Sequence, residues 1–135
     1  MTDMLIQLDM ESKEPLYTQL RNQIVEGIAS YQLKPGDALP SVRTLAQDIG
    51  INLHTVNKAY KQLEQEGFLI IQRQKGALIH PGGVPKADDR YLHELTNVLK
   101  PIIAEAKCRG IAYEQFTTIC QEIYLSLHKK GDNTS

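Results

Sequence analysis

Ser41-Val42-Arg43-Thr44-Leu45-Ala46-Gln47-Asp48-Ile49-Gly50-Ile51-Asn52-Leu53-His54-Thr55-Val56-Asn57-Lys58-Ala59-Tyr60 is the stretch on which the fold depends. Ser41 offers a side-chain oxygen to the free amides of a helix start. Val42, Leu45, Ala46 and Ile49 form one apolar stripe, and Gly50 suits the left-handed residue that stops the helix. Asn52 is a second N-cap, after which Val56, Ala59, Tyr60 and Leu63 recur at helical spacing until Gly67 ends the segment. Two short capped helices on either side of a tight turn are the sequence form of a helix-turn-helix. The outer face of its second helix is not needed for the core.

Working outward, Pro15 suits the first turn of a preceding helix, and Leu16, Leu20, Ile24 and Ile28 follow at four-residue steps with Tyr17 beside them. Lys34-Pro35-Gly36-Asp37 is a turn, and Ala38-Leu39-Pro40 leaves room only for a very short extended piece. On the other side, Phe68-Leu69-Ile70-Ile71-Gln72 and Ala77-Leu78-Ile79 are β-prone runs joined by Arg73-Gln74-Lys75-Gly76, a hairpin with a basic tip. Directly after a helix-turn-helix, such a tip is expected to be a DNA-contacting wing rather than a merely solvated turn.

His80-Pro81-Gly82-Gly83-Val84-Pro85 neither continues a strand nor starts a helix. The expected organisation is therefore a winged helix-turn-helix over residues 1–80, a linker over 81–87 and a helical dimerisation segment over 88–135. The fold class is α+β and mainly helical, with three helices and a β-hairpin wing followed by two helices. In the last segment Leu92, Leu95, Leu99, Ile102 and Ala106 alternate three and four residues apart. Gly110 interrupts them, and Tyr113, Phe116, Cys120, Ile123 and Leu127 resume the pattern in a second helix, expected to lie antiparallel to the first. Pro101 is expected to bend the first of these helices near Asn97. An isolated pair of helices leaves an apolar face open, and the simplest closure is a twofold partner; the competing reading folds the pair back on its own wing domain.

Composition sets the outer limits. The chain has 135 residues, 41% of them hydrophobic, enough for a real core, and its formal charge is −1. The charge is unevenly spread: Lys13 to His80 carries eight Lys or Arg against six acids, whereas the first twelve residues are acidic. No run approaches a membrane span and Met1 to Met10 lacks the features of a signal peptide, so the expected location is the cytoplasm. Cys108 and Cys120 lack metal spacing and are expected to be free thiols. A phosphate loop, a nucleophile motif and clustered Cys/His/Asp ligands are all missing from the sequence, so neither an enzyme nor a cofactor or metal is expected.

Pro15-Leu16-Tyr17, Leu33-Lys34-Pro35-Gly36-Asp37, Leu39-Pro40-Ser41-Val42-Arg43, Thr55-Val56 and Lys58-Ala59-Tyr60, continued by Leu63, Glu64, Glu66-Gly67-Phe68-Leu69 and Gly76, closely resemble the GntR family of bacterial transcriptional regulators. The resemblance covers about Pro15 to His80, and the short two-helix tail looks like the YtrA-like subfamily, which lacks a large effector domain. It implies DNA contact by Arg43 and by the start of the recognition helix. The candidate DNA-binding residues are Ser41, Arg43, Asn52, Leu53, His54, Thr55, Asn57, Lys58, Arg73, Lys75 and Gly76. The bland alternatives are a surface ion pair of Arg43 with Asp37 or Asp48, capping by Asn52, and a buried ring for Tyr60 whose hydroxyl reaches the duplex backbone. Leu53 departs from the arginine many members carry and either touches a thymine methyl or packs beside Val56. His54 replaces a small polar residue, and Ala77 replaces the usual threonine after the wing glycine.

The expected function is sequence-specific DNA binding by a homodimer on a palindromic operator. It is most simply repression, and the resemblance implies operators near its own operon and beside ABC-transporter genes. A winged-helix adaptor that touches no nucleic acid is the alternative, distinguished by the absence of a DNA footprint. An effector is unidentified. It would sit beside Tyr113, Phe116 and Tyr124 unless those rings fill the dimer core.

Overall fold

The computed structural model describes residues 6–72 and 76–127. Five helices and three short strands follow in the order α1 (Leu16–Ala29), β1 (Ala38–Leu39), α2 (Val42–Ile49), α3 (Leu53–Gln65), β2 (Leu69–Gln72), β3 (Gly76–Ile79), α4 (Asp89–Cys108) and α5 (Tyr113–Ser126). The described residues divide into two compact units, one ending at Pro85 and the other spanning Lys86–Leu127.

In the first unit α3 is the central element, packed by both α1 and α2. Its apolar positions recur every three or four residues, so Val56, Ala59, Tyr60 and Leu63 share one face and are all buried. Leu20 and Ile24 of α1 and Leu45 and Ala46 of α2 meet that face. The sheet closes the core from the remaining side. It is antiparallel with strand order β1-β3-β2, and Leu69, Ala77, Ile79 and Leu39 point inward. The register of Leu69 with Ile79 fixes the β2–β3 hairpin and that of Ala38 with Leu78 sets β1 beside it, and the Ile79 amide donates to Asp37 O at 2.8 Å, extending the β1 pairing toward the turn.

Gly67 links α3 to the sheet. Its φ of 89° lets the Gly67 and Phe68 amides bond back to Glu64 O (3.1 Å) and Leu63 O (2.9 Å), a Schellman ending that feeds the chain into β2. A Cβ at Gly67 would also lie 2.9 Å from Pro85 Cδ, so the position is closed to side chains on two counts.

The N-terminal arm is an element that the sequence reading treated only as acidic. Buried Gln19 of α1 accepts from the Asp9 amide at 2.8 Å and donates to Asp9 O at 3.0 Å and Glu14 O at 2.8 Å. One turn along, Gln23 accepts from the Gln7 amide at 2.9 Å and donates back to Gln7 O. Two glutamine amides thus stand in for a neighbouring strand, serving alternate residues of an extended segment, while Ile6 and Leu8 pack on the core.

The second unit has the opposite character. Asp88 caps α4 by accepting from the Tyr91 amide at 2.9 Å, and the helix continues through Pro101. It ends in a second Schellman turn, where Gly110 (φ 80°) and Ile111 donate to Lys107 O and Ala106 O. Neither α4 nor α5 contains a buried residue. The antiparallel packing expected of them is not formed within the single chain: they do not pack along their lengths as α1 and α2 do on α3. Both apolar seams instead remain open, and a lone pair of amphipathic helices has too little apolar surface to close them. Among the described residues no helix is long and apolar enough to cross a membrane.

Candidate nucleic-acid interface

Each end of the helix-turn-helix is fixed by a local hydrogen bond that the sequence dictates. Ser41 Oγ accepts from the Thr44 amide at 3.1 Å and donates to Thr44 Oγ1 at 3.0 Å, starting α2. Gly50 (φ 70°) and the Ile51 amide, bonded to Ala46 O at 3.1 Å, make the turn. Asn52 Oδ1 then accepts from the His54 amide at 2.7 Å and starts α3. Burying Val56, Ala59, Tyr60 and Leu63 turns the opposite face of α3 outward.

The candidate residues fall on that outward face. Asn52, Leu53, His54 and Lys58 are exposed, and Thr55 and Asn57 are half-buried at its edges. Arg43 in the first turn of α2 is exposed and forms no ion pair among the described residues, so the alternative pairing with Asp37 or Asp48 is not made. Leu53 is 41% exposed and, with Arg43, Ala46, Gln47 and Ile51, lines a shallow groove of about 340 Å³ across the turn. Ser41 lies at the mouth of α2, but its hydroxyl proton and one lone pair are engaged with Thr44. Gly76 (φ 74°) opens β3, opposite Gln72. Arg73 and Lys75 lie outside the described residues.

Tyr60 differs from expectation at its tip. The ring is core, but the hydroxyl donates to Pro40 O at 2.8 Å, so it is committed inside the protein rather than to a duplex. Burial raises its pKa well above that of free tyrosine, because the phenolate would lose its water without gaining a cation. The bond ties α3 to the residue just before the α2 cap and so sets Arg43 relative to the recognition helix.

Two participants escaped the sequence reading. Lys58 Nζ stands 3.9 Å from the centroid of the Tyr17 ring, and with His54, Asn57 and Lys61 these residues line a groove of about 700 Å³ between α1 and α3. His54, Lys58 and Lys61 are spaced four and then three residues apart, which puts them on one helical stripe. That spacing was readable and would have found Lys61. Tyr17, by contrast, stands at a packing position of α1, and no spacing links it to Lys58 of α3. The stripe's carboxylate neighbour, Glu66, is held by Arg21 Nε at 3.1 Å, and Arg21 also lies 5.5 Å from the Phe68 ring centroid. The groove therefore keeps a net positive rim.

In the second unit, Leu92, Leu95, Leu99, Ile102, Tyr113, Cys120 and Ile123 are exposed, and Phe116 and Leu127 are half-buried. Tyr113 and Tyr124 are 79% and 82% exposed, so in the single chain they enclose no effector cavity. Cys108 and Cys120 are free thiols. Among the described residues no cluster of His, Cys, Asp and Glu could hold a metal.

Comparison with known proteins agrees with this geometry. The model of the gntR family of bacterial regulatory proteins matches residues 16–79. The HTH-type transcriptional repressor YtrA of Bacillus subtilis (strain 168) is 36% identical over 130 residues, covering 95% of this chain and all of the relative. Among solved structures, a transcriptional antiterminator from Listeria monocytogenes EGD-e superposes with a TM-score of 0.86 at 27% identity, covering 94% of both chains. YtrA from Sulfolobus acidocaldarius, a GntR-family transcription factor, superposes with a TM-score of 0.61 at 39% identity over 73% of this chain and 97% of its own.

Proposed function

The chain belongs to the gntR family of bacterial regulatory proteins and is a DNA-binding transcriptional regulator of YtrA-like type. From that premise we propose that it acts in the cytoplasm as a repressor, binding a palindromic operator as a homodimer. Residues 1–80 form the DNA-reading domain, 81–87 the linker and 88–135 the dimerisation segment. The observation that carries the DNA-binding half is the outward face of α3, whose front end presents Leu53, His54 and Lys58 while the opposite stripe is buried. A helix so placed enters a major groove front end first. Asn57 has the amide chemistry to pair with adenine, Leu53 meets a thymine methyl, and Arg43, Lys58, Arg73 and Lys75 reach phosphates or a guanine edge. Gly76 gives the wing backbone close access to the sugar-phosphate edge.

The dimer half rests on α4 and α5. Helices of this length with no buried residue expose an apolar stripe that a second copy covers by the same stripe, closing the assembly about a twofold axis. Leu92, Leu95, Leu99, Ile102, Tyr113, Phe116, Cys120, Ile123 and Leu127 supply that surface, and the two aromatic residues fill it rather than hold an effector. Two recognition helices one duplex turn apart then require an inverted repeat, about 34–36 Å between half-sites. Likeness to a repressor supports repression. The first targets to test are its own operon and any adjoining ABC-transporter genes, as the family resemblance implies.

A gel shift against DNA upstream of the gene tests this, with Arg43→Ala as the contact variant. Loss of one phosphate contact flattens the slope of log affinity against log salt by about 0.9. An unchanged slope removes Arg43 from the phosphate contacts, and no shift at physiological salt for the wild type favours a protein-interaction adaptor instead.

A further inference from the structure

We propose that Tyr17 is a positioning residue for DNA binding: its ring holds the Lys58 ammonium at the α1/α3 groove, pre-set to take an operator phosphate there beside Lys61. This rests on the DNA-binding reading above and adds to it a residue of α1, outside the helix-turn-helix.

Three observations carry it. Lys58 Nζ sits 3.9 Å from the Tyr17 ring centroid, within the range at which the negative face of an aromatic ring attracts a cation. Tyr17 is half-buried against the core, so the ring is itself fixed and can fix what rests on it. The groove is also electrostatically prepared for an anion. Lys58 and Lys61 lie on one stripe of α3, and the Glu66 carboxylate that borders them is neutralised by Arg21 at 3.1 Å.

The chemistry favours a ring over an acid for this task. A lysine on an exposed helix face samples many rotamers, and ordering it opposes binding. A carboxylate would order it but cancel its charge. A ring face orders the ammonium while leaving the charge intact and N–H donors free for phosphate oxygen. The stripe is continuous with the front end of α3, so a phosphate in the groove belongs to the backbone flanking the bases that α3 reads.

The test is a double-mutant cycle on the full chain, using a duplex selected from random DNA by the wild-type protein. Tyr17→Phe keeps the ring and is expected to bind within about twofold of wild type, whereas Tyr17→Leu keeps apolar packing alone and is expected to bind about threefold to fivefold more weakly. Lys58→Met lowers affinity and flattens the salt slope by about 0.9. Adding Tyr17→Leu to Lys58→Met is expected to cost nothing further, because the ring has no ammonium left to hold. The inference is overturned if Tyr17→Leu weakens binding equally with and without Lys58, if it has no effect, or if Tyr17→Phe loses as much as Tyr17→Leu. If these results occur while Arg43→Ala still weakens binding, the DNA-binding reading stands and only the role of Tyr17 falls. A wild-type chain that selects no duplex overturns both. Melting temperatures of all four variants separate weakened binding from a failure to fold.

Discussion

Replacing Tyr60 by Phe removes one oxygen and isolates one bond. The ring stays in the core, but Pro40 O loses the donor that stands 2.8 Å away. A partly buried hydrogen bond of this kind contributes about 1–2 kcal/mol once the stranded carbonyl is included. In a unit of this size that corresponds to a melting temperature lowered by roughly 4–8 °C for each kcal/mol. The pH dependence gives a second, independent signature. Desolvation raises the Tyr60 pKa in the folded chain above its unfolded value of about 10, so below that pH both states hold the proton and the stabilisation is complete. Above it the unfolded chain loses the proton while the folded chain retains it, and stability falls with rising pH by about 1.4 kcal/mol per unit. Urea unfolding of wild type and Tyr60→Phe side by side should therefore show a constant gap from neutrality to about pH 10 that narrows steeply beyond it. Operator affinity should also fall, because the bond sets the start of α2, and with it Arg43, against α3. A variant as stable as wild type, or a gap that widens above pH 10, would refute the reasoning.

Other perturbations follow from the same packing. Gly67→Ala places a Cβ 2.9 Å from Pro85 Cδ at a φ of 89°, and should cost at least about 1–2 kcal/mol by chemical denaturation from the backbone strain alone. Gln19→Ala leaves the Asp9 amide and the Glu14 carbonyl without their partner and Asp9 O with only the Ser12 amide at 3.3 Å, so hydrogen exchange over residues 6–14 should accelerate markedly while α3 stays protected. In α4, Leu95→Glu combined with Leu99→Glu acts on residues each 38% exposed in the single chain. It should cost little in monomer stability, yet abolish the proposed dimer in sedimentation by placing like charges across its twofold.

What could be read from the sequence was whatever depends on local spacing. The α2-turn-α3 unit is specified by its caps and stripes: Ser41 and Asn52 make the bonds their chemistry suggests, and Gly50 and Gly67 take the positive φ that stops a helix. The two β-prone runs pair around the connection they flank. Long-range partners, by contrast, leave no periodic trace. Nothing in the spacing of Gln19 and Gln23 says that their amides will meet the backbone of residues 7 and 9, and nothing in Tyr60 says that its hydroxyl turns inward to Pro40. The Tyr17–Lys58 contact joins residues of α1 and α3, and only the packing of those helices brings them together. The expected pairing of α4 with α5 failed for a related reason. Heptad-like spacing states that a helix needs a partner and not which chain provides it.

Sedimentation velocity of the full chain with a duplex selected from random DNA tests the central claim most directly. A complex of two chains per duplex, formed over an inverted repeat, is the predicted result. A single chain per duplex, or no sequence selected above non-specific binding, would contradict it.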